Sequence, residues 1–132
     1  MAVETIKIPF SKREQRFLSF VFTEVFGGGS TGVIQAVLGE YVPAAQNLRP
    51  VVRQQAESDS EFIELTETQW RVMYESLNAV IYGLGPVLQT CTGQHLHDAC
   101  NLNLRICQNV WGVFQGKYEW AESTTKPISE KG

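Results

Sequence analysis

Twice in this chain a short stretch of alternating apolar and polar residues runs straight into a helix-capping sequence. That repeated junction constrains the fold more than any other feature. Residues 3–10 place Ile6, Ile8 and Phe10 on one side and Thr5 and Lys7 on the other. This is the period of a half-buried strand, which Pro9 confines to an edge or to its last residues. Ser11-Lys12-Arg13-Glu14 follows as a capping box. The Ser11 hydroxyl can accept from the Glu14 amide while the Glu14 carboxylate reaches back to the Ser11 amide. Phe62-Ile63-Glu64-Leu65 alternates in the same way, and Thr66-Glu67-Thr68-Gln69 repeats the box. A shift of 55 residues carries Ile8 to Ile63, Ser11 to Thr66, Glu14 to Gln69, Arg16 to Arg71 and Gly28 to Gly83. Such a register fits an ancient strand–helix–helix repeat or the independent use of common capping grammar. Under either reading the two strands are candidates to pair.

Helical periodicity fills the intervals. Behind the first box, Phe17, Leu18, Val21, Phe22 and Val25 share one face, and Gly27-Gly28-Gly29 stops the helix. A second helix from Ser30 or Thr31 repeats the spacing with Val33, Ile34, Val37, Leu38, Tyr41 and Val42 inward, and Pro43 ends it. Pro50 suits the first turn of a further short helix within residues 44–55, and residues 56–60 read as a polar loop. After the second box, Trp70, Met73, Leu77, Val80, Ile81 and Leu84 point inward to a stop near Gly83 and Gly85. Residues 87–91 form a third short strand or a loop. The longest helix then runs from Thr92-Gly93 to about Tyr118, with Leu96, Cys100, Leu104, Cys107, Trp111, Phe114 and Tyr118 along its core side. The fold class is therefore α+β: a small two- or three-stranded antiparallel sheet with four to five helices packed on it. A single compact domain covers residues 1–120, and a polar tail covers residues 121–132.

The 132-residue chain is 43% apolar, within the range of a globular domain that folds without metal or disulfide. Its net charge of −3 gives no basic footprint for nucleic acid. Charges break up the first twenty residues, and no apolar run reaches the ~18 residues of a membrane span. Three cysteines, an odd number, point to reduced thiols and a cytoplasmic location.

Few residues invite chemistry. Cys91, His95, His97, Asp98 and Cys100 crowd together, but zinc wants four ligands in a tetrahedron, and on a helix His95 and His97 face apart. Only His97 and Cys100 could share an ion. The same set could make a thiol nucleophile, with Cys91 activated by His95, yet nothing around it resembles an oxyanion device. The weightier reading keeps Cys100 and Cys107 as core packing. Gly27-Gly28-Gly29-Ser30-Thr31-Gly32 lacks the Gly-Lys-Ser/Thr ending of a phosphate loop and follows a helix, so a flexible turn explains it. Trp70, Trp111 and Phe114 would line a small-ligand pocket if they were not plain core. Lys12, Arg13 and Arg16 sit in the first turn of their helix, where positive charge opposes the dipole; a solvated helix face is the weightier reading, and an acidic partner surface the alternative.

The most informative feature is an absence. Between residues 93 and 116 only Asp98 and Arg105 are charged. The side opposite the expected core stripe carries Asn101, Arg105, Gln108, Gly112 and Gln115 at i, i+4, i+7, i+11 and i+14, with Asn103 and Asn109 beside it. Solvent-exposed helices usually show charged i,i+4 pairs there. Amides and glycines suit a helix buried within its own domain or packed against a second subunit. The expectation is a non-catalytic interaction or assembly protein, homodimeric through this helix, with no cofactor, nucleic acid or membrane partner. The opposing expectations are a metal-binding or Cys/His-dependent enzyme, and a small-ligand binder.

Overall fold

A computed structural model describes residues 4–85 and 96–112. The order is β1 (Thr5–Pro9), α1 (Lys12–Gly27), α2 (Thr31–Leu38), a 3₁₀ turn (Gly39–Tyr41), α3 (Val42–Glu57), β2 (Phe62–Thr66), α4 (Glu67–Leu84) and α5 (Leu96–Val110). The strands form one antiparallel pair, with Thr5 opposite Thr66 and Ile8 opposite Ile63. Both capping boxes close. Ser11 Oγ accepts from the Glu14 amide at 3.1 Å, and Thr66 Oγ1 accepts from the Gln69 amide at 3.1 Å. The return bonds to Glu14 and Gln69 are both 2.9 Å. The α+β class read from the sequence is the observed one. Among the described residues, no single helix is long and apolar enough to cross a membrane.

One face of the sheet, carrying Ile8, Ile63 and Leu65, is buried against the helices, whereas Thr5, Lys7 and Pro9 on the other face are exposed. The same 55-residue shift that links the capping boxes links the burial pattern. Gln15, Phe17, Leu18, Val21, Phe22, Glu24 and Val25 are the buried residues of α1. Their counterparts Trp70, Val72, Met73, Ser76, Leu77, Ala79 and Val80 are all buried in α4. In α3 the buried Ala45, Leu48 and Val52 stand 54 residues before the buried Ala99, Leu102 and Ile106 of α5. Ile8 and Ile63, related by the shift, also face each other across the ladder. That is the arrangement of two strand–helix units about a local two-fold axis passing between them.

Several expectations need correction. Pro43 does not end the second helix; α2 stops at Leu38, and Pro43 sits in the first turn of α3, where a missing N–H costs nothing. Pro50 lies inside α3 instead of opening a helix. It faces solvent together with Gln46, so water can satisfy the carbonyl it frees, while Ala45, Leu48, Val52 and Ala56 hold the helix down by burial. The core side of α5 is Ala99, Leu102, Asn103, Ile106 and Cys107, so the expected stripe is rotated: Cys100 is exposed and Leu104 half-buried. α5 also ends earlier than read. Gly112 takes a φ of 60° and its amide turns back to the Cys107 and Gln108 carbonyls. The possible third strand at residues 87–91, the helix start at residues 92–93 and the tail at 121–132 lie outside the described residues.

Candidate functional site

The outer side of α5 is the surface on which the sequence reading depends. His97, Cys100, Gln108, Asn109 and Gly112 are exposed, and Asn101 is half-buried. Their bonds stay within the helix. Asn101 Nδ2 lies 3.1 Å from His97 Nε2, and Asn109 Nδ2 donates to the Arg105 carbonyl at 2.8 Å. Other outward helix faces carry charged pairs one turn apart, Arg53 with Glu57 at 3.4 Å and Arg71 with Glu75 at 3.7 Å. Of the predicted stripe, Gln108 and Gly112 are exposed, Asn101 is half-buried in a groove that it lines with Arg13, Glu14, Asp98 and Arg105, and Gln115 lies outside the described residues.

Arg105 is drawn to the edge of that stripe. Its guanidinium makes a two-pronged contact with Glu14 at 3.0 and 3.1 Å, donates to the Pro9 carbonyl at 3.4 Å and lies 5.2 Å from the Phe10 ring centre. Burial pushes the Glu14 carboxyl up. The Arg105 guanidinium and the Ser11 amide and hydroxyl more than reverse this, so its pKa falls below the ordinary value. Asn103, expected beside the stripe, is instead buried, with Nδ2 donating to Asn78 Oδ1 at 2.6 Å.

The chemically suggestive residues divide between described and undescribed segments. Cys91, His95 and Phe114 lie outside the described residues. His97 and Cys100 are both on the surface of α5, one turn apart. Packing beneath the Cys100 thiol pushes its pKa up, which lowers its thiolate fraction. Among the described residues no three His, Cys, Asp or Glu side chains converge in a way that could hold a metal ion. Trp70 is fully buried, its ring against Phe10 and its Nε1 donating to the Ile6 carbonyl at 2.9 Å. Trp111 closes the seam between α4 and α5. It stacks edge-on to Tyr74, lies under the Arg71 guanidinium at 5.3 Å and donates to Glu67 Oε2 at 3.0 Å.

The glycine-rich segment is a tight helix-to-helix turn in which Thr31 Oγ1 donates to the Gly28 and Glu24 carbonyls at 2.7 and 3.1 Å. Lys12 has a structural partner that local sequence could not reveal. Its Nζ reaches the Gln55 and Ala56 carbonyls at 3.4 and 3.3 Å, so the cation opposing the α1 dipole sits at the negative end of α3. Sequence reasoning also missed an exposed apolar face on α2, where Val33 and Val37 were read as inward. The run of residues 25–39 without a charge was the available signal.

No family model, curated protein or solved structure matches this chain.

Proposed function

We propose that this chain is a non-catalytic protein–protein interaction or assembly protein that works as a homodimer. The observation that carries the reading is the outer face of α5, where Gln108 and Gly112 turn an uncharged side chain and bare backbone to solvent, with the half-buried Asn101 two turns before. Isolated in water, such a face gains nothing from its amides. Across a two-fold axis each amide meets another that both donates and accepts, and Gly112 allows close approach. The negative net charge makes nucleic acid a poor partner, and the free surface thiol of Cys100 suits the reducing cytoplasm.

Introducing Asn101→Asp and Gln108→Glu together repeats two negative charges across such an axis without touching the core side of α5. Native mass spectrometry should then show one chain where the wild type shows more, with unchanged far-ultraviolet circular dichroism. An unchanged subunit number in the folded variant refutes the α5 interface. Zinc retained in stoichiometric amount by the wild type, and lost on Cys91→Ser with His97→Ala, would favour the metal-protein reading instead.

A further inference from the structure

α1 and α3 pack on each other and leave a groove of about 410 Å³, with Lys12, Arg16 and Ser19 on one side and Arg53, Ala56 and Glu57 on the other. Three cations face one carboxylate there, in a chain whose net charge is −3. The cations are not equally engaged. Lys12 Nζ donates to Gln15 Oε1 at 2.9 Å and to the Gln55 and Ala56 carbonyls at 3.4 and 3.3 Å. Its three protons are spent, so it contributes field and no free donor. Arg53 is held by Glu57 at 3.4 Å, with both side chains mostly exposed. Among the described residues, Arg16 and the hydroxyl of the half-buried Ser19 make no hydrogen bond or ion pair. Arg16 also stands toward the positive end of the α1 dipole, and it lacks the compensation that the end of α3 gives Lys12.

We propose that this groove binds a small phosphate monoester, its dianion held between Arg16 and Arg53 with the Ser19 hydroxyl as a further donor. A guanidinium fork matches two phosphate oxygens at once, and a hydroxyl donates to a third. The monoester carries a charge of about −1.5 to −2 at neutral pH, which three cations set against one carboxylate offset. The size fits as well, because small-molecule sites begin at roughly 300 Å³ and the groove leaves room for the organic part of the ester. Acidic neighbours limit the occupant to a small one. Glu57 is exposed, and the exposed Asp59 and Glu61 follow it closely in the chain. They would repel a nucleic-acid backbone, an acidic protein face or an anionic membrane. Binding draws Arg53 away from Glu57, and an exposed pair of that kind costs little to break. The groove contains no residue of α5, so this site goes beyond the assembly reading and stands or falls apart from it.

The test is a titration of the full-length protein with glycerol phosphate at neutral pH, followed by amide NMR, with ionic strength held constant by sodium chloride. The amide signals of Arg16, Ser19 and Arg53 should move along one saturable curve. Arg16→Gln and Arg53→Gln each remove one fork from an exposed position, so the fold should survive, as circular dichroism will check. Each should weaken binding about tenfold. Glu57→Gln releases Arg53 and should tighten binding about two- to threefold. Succinate, a dianion with its charges at opposite ends, should bind at least about tenfold more weakly than the ester. No saturable shift in the wild type overturns the proposal. So does binding that both folded arginine variants retain unchanged, or succinate binding as tightly as glycerol phosphate.

Discussion

The fourth residue of α1 is Gln15 and the fourth residue of α4 is Trp70. Both are fully buried, and both donate across to the other unit: Gln15 Nε2 to the Ser60 carbonyl at 2.9 Å, Trp70 Nε1 to the Ile6 carbonyl at 2.9 Å. The first residues of the same helices differ just as sharply. Lys12 reaches the Ala56 carbonyl at the end of α3, whereas Glu67, 55 positions on, accepts from Trp111 beyond the end of α5. Position and burial are held in common between the halves, while the chemistry that satisfies each position is free to change.

The two sheet edges differ in the same sense. Along β2, the outward-facing backbone of Phe62 bonds to the Ser60 hydroxyl. The side-chain amide of Gln55 takes both the amide and the carbonyl of Glu64, and Gln69 accepts from the Thr66 amide. Along β1, Pro9 has no amide to satisfy and its carbonyl takes Arg105. Lys7 and Thr5 remain exposed, and a lysine with a nearby proline is a common protection against strand addition.

If burial is the shared property, the largest effect belongs to the largest buried side chain. Trp70→Ala should cost about 3–5 kcal/mol in urea unfolding, because it removes a packed ring and a hydrogen bond. Gln15→Ala, at the matching position, should cost about 1–2 kcal/mol, mainly from two carbonyls left with fewer donors. Equal costs would break the comparison. The matched glycines sharpen it. At Gly83 a new Cβ presses on Ile34, a buried branched side chain with its backbone close behind, so Gly83→Ala should lose about 1–2 kcal/mol despite better helix propensity. At Gly28 the obstacle is the end of the Glu24 carboxylate, which can swing aside, so Gly28→Ala should change stability by less than about 0.5 kcal/mol.

The smallest effect joins the halves. Glu14 and Arg105 keep 29% and 37% side-chain exposure, so solvent screening limits their bond to about 0.5 kcal/mol. The Glu14 pKa is lowered by folding, so its contribution is complete above the unfolded carboxylate value. It is lost as pH falls through the lower folded value. Arg105→Met should therefore weaken the protein at neutral pH and leave its stability below pH ~3 nearly unchanged. A constant loss across that range would place the Arg105 contribution in its packing on Phe10 instead.

Much of the fold was legible because its signals are local. The alternation of Ile6, Ile8, Ile63 and Leu65, and the two capping boxes, each sit within a few residues and need no tertiary partner to be read. The phase of α5 was not legible. Its apolar residues make two overlapping stripes, through Cys100 and Leu104 or through Ala99, Leu102 and Ile106, and the second is interrupted by Asn103. Only the facing Asn78 makes that polar residue acceptable in the core. Pro50 misled for a different reason: an interior proline is forbidden where its lost bond stays dry, and here it faces water. At the candidate site, the exposure of Gln108 and Gly112 followed from helical spacing alone, whereas Asn101 is half-buried. The exposure of Val33 and Val37 did not follow, because a short apolar helix reads as buried until its neighbours are known.

Sedimentation equilibrium of the wild type over a wide concentration range tests self-association most directly. The account predicts a mass of at least twice 14.8 kDa at micromolar concentration. A single species of 14.8 kDa throughout would contradict it.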